Sequence, residues 1–358
     1  MRIGMVAPIA WTCPPSGYGP WEAATSTLTE ALIRRGHDVT LFAAGGSCTA
    51  GTLRVTAPHP YEEGPLDVKV WEALHLGAAM TEAARGAFDV IHVQCDFPAL
   101  PFAPLLPVPM IVTLHGFGPP SVRDAVLPIW RAYANDAHYV AISDADRHPD
   151  LRYAATIHHG LAPSAWPAVA ESAPDAPLVF FGRSHPEKGP AAAIDAARAA
   201  GLPIRLAGIV ADADYHATEV VPRLEDPGAV WIGPLAGTER ARFLGAARGL
   251  LHLIAFDEPF GLSIVEAMLC GTPVIALRRG SMSELIEEGV TGFLVDRLED
   301  APAAIARLPE IDRARCAARA RLRFADDTMA ARYEAVYRAA RAMKLQQLAM
   351  DETPRKLR

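Results

Sequence analysis

The sequence lacks the features that several whole classes of function depend on. Five cysteines, at 13, 48, 95, 270 and 316, are spread through 358 residues with no Cys-x-x-Cys among them. An odd number at such spacings excludes a disulfide framework and a zinc cluster, and is expected of reduced thiols in a cytoplasmic protein. There is no basic excess: the formal net charge is −7, the wrong sign for a nucleic-acid partner. No apolar run approaches the ~20 residues of a membrane span; membrane contact through the C-terminal helix stays open but is not indicated, since Arg332, Arg338, Arg341 and Lys344 suit a solvated face. The N-terminus enters Arg2-Ile3-Gly4-Met5-Val6-Ala7, a strand, with neither the apolar core nor the cleavage site of a signal peptide. A dinucleotide fingerprint is missing too. Gly17-Tyr18-Gly19 is followed by Glu22 where the third glycine of Gly-x-Gly-x-x-Gly would stand, and the gap from the strand is too long for the tight turn of a nicotinamide site.

What is present is ordinary globular material, 51% hydrophobic and 21% charged, in a length that suits about two domains. The first half alternates strand and helix. Strands are expected at 2–7, 38–43, 89–93, 109–114 and 137–142, and helices near 21–36, 66–85 and 121–135. Nearly continuous apolar strands joined by helices imply an α/β fold with a parallel, doubly wound sheet, whose ligands sit at the carboxyl ends of the strands. That singles out the loops after Ala7, Val93, Leu114 and Ile142. A Pro- and Ala-rich stretch at 163–177 reads as a linker. The alternation then resumes, with strands beginning at Leu178, Ile204, Ala229, Gly249 and Thr291 and helices at 190–200, 299–308 and 312–323. The chain ends in an amphipathic helix from Met329 to Met350, and Asp351 to Arg358 is expected to be a tail.

One stretch organises the second half. The buried run Gly249 to Ile254 breaks at Pro259 and Gly261, and a helix follows that stops at Gly271. A strand, a tight turn and a helix N-terminus form an anion site, because the first helical N–H groups have no intrahelical partner. Two glutamates, Glu258 and Glu266, bracket that turn, and neither is needed to fold it. With Pro-Phe-Gly-Leu after the first and Ala-Met-x-x-Gly-Thr-Pro-Val after the second, the segment resembles the Glu-x7-Glu signature of the family-4 retaining glycosyltransferases. The resemblance implies the GT-B architecture: two Rossmann-like domains with the donor in an interdomain cleft. It divides the chain into an acceptor domain at 1–162, the linker at 163–177, a donor domain at 178–328 and, at 329–358, a last helix crossing back to the first domain, with its tail.

The implied reaction moves a hexose from a nucleoside diphosphate sugar, UDP first and GDP-mannose second, to an acceptor hydroxyl. No cofactor and no metal are expected. Glu258 would act at the transferred sugar beside Phe260 and Gly261. Gly261 and Leu262 would offer amides to the diphosphate, and Glu266 would hold the ribose. Gly182-Arg183-x4-Lys188-Gly189 resembles the family's phosphate clamp, and its chemistry is direct. Charge builds on the leaving diphosphate, and Arg183 and Lys188 stabilise it in place of a metal. Val230, Trp231, Ile232 and Leu235 resemble the strand end that holds the base, although Trp231 equally suits the core. His115, in Thr113-Leu114-His115-Gly116, would face the transferred sugar, or cap local carbonyls as a strand-end histidine. Gly19 would face the diphosphate, while Tyr18, Trp21, Gln94 and Asp96 are acceptor-side candidates.

The chain departs from the pattern at Pro20, in place of the second loop glycine, and at His159, in place of an asparagine. Proline suits a first helical position but has no N–H to give a phosphate. These departures keep open a nucleotide-sugar-binding module without activity, beside a phosphorylase of the same fold. Other polar residues read as structural. His92 sits mid-strand as a core histidine, and adjacent His158 and His159 point to opposite faces. Ser143-Asp144 suits a helix start, and Asp-x-Asp at 144–146 and 212–214 is taken as chance. Ser281-x-x-Glu284 has the form of a capping box.

Overall fold

The computed structural model describes residues 1–116 and 120–351. Residues 117–119 and all but the first residue of the expected tail lie outside the described residues. The chain forms two compact units, Met1–Gly160 joined by the C-terminal stretch from Asp326, and Leu161–Ala325.

The first unit is built on β1 (Arg2–Val6), α1 (Pro20–Arg34), β2 (Asp38–Ala44), β3 (Thr52–Ala57), α2 (Val68–Ala84), β4 (Val90–Val93), β5 (Met110–Leu114), α3 (Pro120–Ala132), β6 (Ala137–Ala141) and β7 (Tyr153–Thr156). Its seven strands are ordered β3-β2-β1-β4-β5-β6-β7, and every pairing is parallel. Strand periodicity divides the core between two faces. Ile3, Met5, Val39 and Leu41 pack on one side with Leu28 and Leu32, while Val6, Phe42, Ile91 and Val93 pack on the other with Leu76 and Met80. Each such buried side chain stabilises the unit by roughly 1.5–3 kcal/mol.

The second unit comprises β8 (Leu178–Phe181), α4 (Pro190–Ala199), β9 (Ile204–Ala207), α5 (Ala213–Tyr215), β10 (Ala229–Gly233), α6 (Gly237–Gly245), β11 (Gly249–His252), α7 (Leu262–Leu269), β12 (Val274–Leu277), α8 (Met282–Leu285), β13 (Gly292–Val295), α9 (Ala301–Ala306) and α10 (Arg313–Phe324). Its strands run β10-β9-β8-β11-β12-β13, again all parallel. The last helix, α11 (Asp326–Asp351), packs on the first unit: Tyr333 and Tyr337 are fully buried there, and Glu334 binds Arg35 and His37. Among the described residues no helix is long and apolar enough to cross a membrane.

The doubly wound architecture is the one expected, with local corrections. Three strands were not anticipated: β12, the short run Val274–Leu277 after the signature helix, and β3 and β7 at the two edges of the first sheet. The half-exposed sequences of the two edge strands, TLRVTA and YAAT, lack the apolar runs that mark the inner strands. The segment 163–177 packs on the second unit, with Trp166 buried and the Val169 amide donating to the Cys270 carbonyl. Ser143-Asp144 starts a turn instead of a helix: Ser143 Oγ accepts from the Asp146 amide, and the chain then runs on to β7. Ser281 forms no capping box, since its hydroxyl donates 2.6 Å to the Phe260 carbonyl and a longer-range contact displaces the local one.

Candidate functional site

Each sheet reverses its strand order at one point, between β1 and β4 and between β8 and β11. Ligands of open α/β sheets bind outside the strand ends at that reversal. The loops that carry Gly19, Gln94 and Asp96 leave the first sheet at that reversal and those that carry Arg183, Lys188 and Glu258 leave the second, whereas His115 follows β5 and the base-strand candidates lie on the edge strand β10.

In the second unit, the loop after β8 carries the clamp and the loop after β11 carries the signature. The Ala255 amide donates to the Glu187 carbonyl and fixes one loop against the other. Lys188 Nζ lies 2.5 Å from Glu258 Oε2 and 4.6 Å from the centre of the Phe256 ring. His252 Nε2 stands 3.7 Å from the same carboxylate oxygen, and burial lowers its pKa to about 3. It is therefore a neutral neighbour, and Lys188 supplies the cation that answers Glu258. Arg183 has no hydrogen bond or ion pair among the described residues, so its guanidinium is uncommitted.

Gly261 precedes α7 with φ +100, a conformation that disfavours a side chain. The first amides of α7 have no intrahelical acceptor. Gly280 lies against this turn: a Cβ there would fall 2.4 Å from the Glu258 carbonyl oxygen. The Ser281 amide donates to that same carbonyl at 3.0 Å. The turn is therefore held from behind by 280–281, through contacts that the capping-box reading did not foresee.

Glu266 is buried on α7, and Arg240 of α6 forms an ion pair with its Oε1. Glu266 Oε2 is buried without a hydrogen-bond partner among the described residues. Arg240 lies between Trp166 and Phe181, about 5 Å from each ring centre, and burial lowers its pKa to about 10. Arg240 was missed in the sequence, where one arginine of an ordinary helix carries no motif. The base-strand candidates lie on the edge strand β10. Val230 and Ile232 are exposed, Trp231 is half-buried edge-on to His216, and Leu235 follows the strand.

The first unit presents a different surface. His115 follows β5 and is stacked between Trp21 and His159, each ring 5.1 Å away at 20°. His159, a departure from the family pattern, is thus one face of this stack. Burial holds the His115 pKa well below its usual value and lowers that of His159 to about 3. Gln94 is buried behind His115, and its Oε1 accepts from His115 Nε2 at 2.7 Å. Gln94 Nε2 lies 3.1 Å from His92 Nε2, and His92 in turn meets Thr113 and Tyr337. With its proton on Nε2, His115 keeps a lone pair on Nδ1, which is buried and has no hydrogen-bond partner among the described residues. An unanswered acceptor of that kind suits a ligand hydroxyl.

Gly19 is the N-cap of α1 and Pro20 its first residue, as expected. Asp96 is the one non-glycine residue with positive φ among the described residues, and burial, with Asp146 nearby, raises its pKa to about 7. Tyr18 and Trp21 help to line a cavity of about 320 Å³.

Residues 22–149 match the model of Glycosyltransferase Family 4, and residues 164–310 that of Glycosyl transferases group 1. A glycogen synthase of Mycobacterium tuberculosis is 26% identical over 346 residues, covering 82% of this chain and 81% of its own. A D-inositol 3-phosphate glycosyltransferase of Pseudarthrobacter chlorophenolicus is 31% identical over 157 residues, 41% of this chain and 35% of its own. Among solved structures, a glycosyltransferase involved in avilamycin A biosynthesis superposes with a TM-score of 0.71 at 22% identity, over 96% of this chain and 98% of its own. Anabaena HepE in complex with UDP and glucose superposes with a TM-score of 0.70 at 21% identity, over 95% and 100%. With a family match on each unit and the GT-B fold throughout, the chain belongs to the family-4 glycosyltransferases.

Proposed function

We propose that the chain transfers a hexose from a nucleoside diphosphate sugar, UDP-linked before GDP-linked, to an acceptor hydroxyl, with retention at the anomeric carbon and without a metal. The observation that carries this reading is the cluster at the start of α7: open amides, Lys188 on Glu258, and an uncommitted Arg183 on the adjoining loop. The bond from the anomeric carbon to the diphosphate oxygen breaks, and a bond from that carbon to the acceptor oxygen forms. The acceptor proton passes to the departing diphosphate. Arg183, Lys188 and the amides of Gly261 and Leu262 stabilise the negative charge, most strongly when it is greatest. Glu258 orients the sugar and keeps Lys188 in place. Glu266 offers Oε2 to a ribose hydroxyl while Arg240 neutralises its charge. His115 Nδ1 accepts a sugar hydroxyl.

UDP-binding by HepE supports the donor choice. Five unpaired cysteines support a cytoplasmic location. The test is turnover of UDP- and GDP-hexoses with and without EDTA. Transfer or slow donor hydrolysis that survives the chelator is expected. Loss of activity restored by Mg²⁺ or Mn²⁺ would end the metal-free reading. Phosphate-dependent release of a sugar phosphate would identify a phosphorylase. Binding without turnover would identify a module, the reading that the missing N–H of Pro20 favours.

A further inference from the structure

The cavity beside Trp21 has a composition that the transferase reading alone does not explain. Trp11, Tyr18, Trp21 and Tyr61 supply aromatic walls, and Glu22 and Glu72 the acidic groups. The lining contains no lysine or arginine, and its one histidine, His75, is neutral, because burial lowers its pKa to about 4. Glu22 is committed, since its Oε1 accepts from the Trp11 amide at 3.1 Å. Glu72 is half-buried and has no hydrogen bond or ion pair among the described residues. Its nearness to Tyr61 and Cys95 raises the pKa of both groups further, beyond the effect of burial. Burial also raises the pKa of Glu72 itself, which a bound cation would offset. Aromatic faces around an unanswered carboxylate recognise an ammonium group, and they repel a phosphate.

We propose that this cavity is the acceptor subsite and that it selects a ring-bearing amine, an amino sugar or aminocyclitol, with Glu72 as the group that pairs with the ammonium and the aromatic rings as the walls for its ring. The proposal rests on the transferase reading, and it adds the charge of the acceptor. Trp21 connects the two, since it lines the cavity and stacks on His115.

The test uses three cyclitols that share one ring and differ in charge: scyllo-inosamine, scyllo-inositol and D-inositol 3-phosphate. Each is titrated calorimetrically against the full chain and against Glu72→Gln, with UDP titrated separately. The amine should bind best and the phosphate worst. Glu72→Gln should weaken the amine about tenfold and change the neutral cyclitol less than about twofold. UDP affinity should be the same in both proteins, which shows that the variant is folded. Equal binding of the three, preference for the neutral ring or the phosphate, no binding of the amine, or an unchanged amine affinity in Glu72→Gln would each overturn the proposal. If UDP still binds in those cases, the transferase reading survives. If neither UDP nor GDP binds, that reading fails on its own measurement.

Discussion

The polar side chains beside α7 in the second unit and those around His115 in the first are gathered in opposite electrostatic styles. Those beside α7 use full charges, with Lys188 on Glu258, Arg240 on Glu266 and Arg183 uncommitted. Those around His115 use neutral rings and amides, with His115 between Trp21 and His159 and joined through Gln94 to His92. The difference follows from what each would bind. A diphosphate carries fixed charge and needs fixed cations. A hydroxyl group needs a directed acceptor or donor, and an ionised histidine stacked between two rings would be costly to bury.

Loss of a charge in the second unit should have the largest effect, and the two clamp residues should differ. Lys188→Ala removes the cation proposed for the diphosphate and leaves Glu258 unanswered in a mostly buried setting. Breaking a fully buried pair costs ~3–5 kcal/mol. The remaining exposure here, 18% for Lys188 and 13% for Glu258, lowers the expectation to roughly 2 kcal/mol of stability. Donor affinity should fall about a hundredfold. Arg183→Ala should lower affinity by about ten- to a hundredfold at unchanged melting temperature, since it breaks no pair. Equal melting temperatures for the two variants would remove the distinction between a paired and an uncommitted cation.

Next in size is the division between the glutamates. Glu266→Gln leaves Arg240 buried between two rings without its countercharge, and should weaken UDP itself by about tenfold. Glu258→Gln should leave UDP affinity nearly intact while turnover falls. Calorimetry with UDP, paired with donor turnover, decides it. The same loss of UDP affinity in both variants would contradict separate roles.

In the first unit, Gln94 is hydrogen-bonded to His115, and the role proposed for it runs through that ring. Gln94→Leu removes the acceptor that keeps the His115 proton on Nε2. Turnover should fall several-fold, within the ~10²-fold span of a misplaced hydrogen-bonding group, while UDP affinity in the second unit is unchanged. Nitrogen NMR of the His115 ring separates this role from simple packing. The wild type should show a protonated Nε2 and a bare Nδ1, and the variant a mixture. A single unchanged tautomer in Gln94→Leu would show that Gln94 only fills space.

Sequence and structure correspond unevenly for physical reasons. The signature turn and the inner strands other than β12 were legible because they are local: apolar runs, Pro259, Gly261 and the spacing of Glu258 and Glu266 all lie within a short window. The edge strands β3 and β7 were not, because a strand exposed on one side needs no apolar run. Arg240, the stack on His115 and the bond from Ser281 to Phe260 join residues far apart in sequence, and no local pattern encodes them. Gln94 was read as an acceptor-side residue at a strand end. Its burial and its partner could be known only once β4 and β5 were placed side by side.

The smallest expected effect concerns Pro20, which touches both styles of recognition. It opens α1 directly after Gly19, whose φ of +143 suits glycine, and it lines the cavity with Tyr18 and Trp21. Without an N–H it can give nothing to a diphosphate. What it can give is stiffness, by restricting the unfolded chain at a backbone angle that the helix start already requires. Pro20→Gly should therefore lower stability by a few tenths to about 1 kcal/mol. If the loop faces the donor, the restored N–H should tighten UDP-hexose by a comparable amount. If it serves only the aromatic walls, donor affinity should stay constant and the amine should bind more weakly, because Tyr18 and Trp21 are held less firmly. Titrating both ligands against both proteins separates the two roles. Tighter UDP-hexose with unchanged amine affinity would move this loop to the charged side of the comparison.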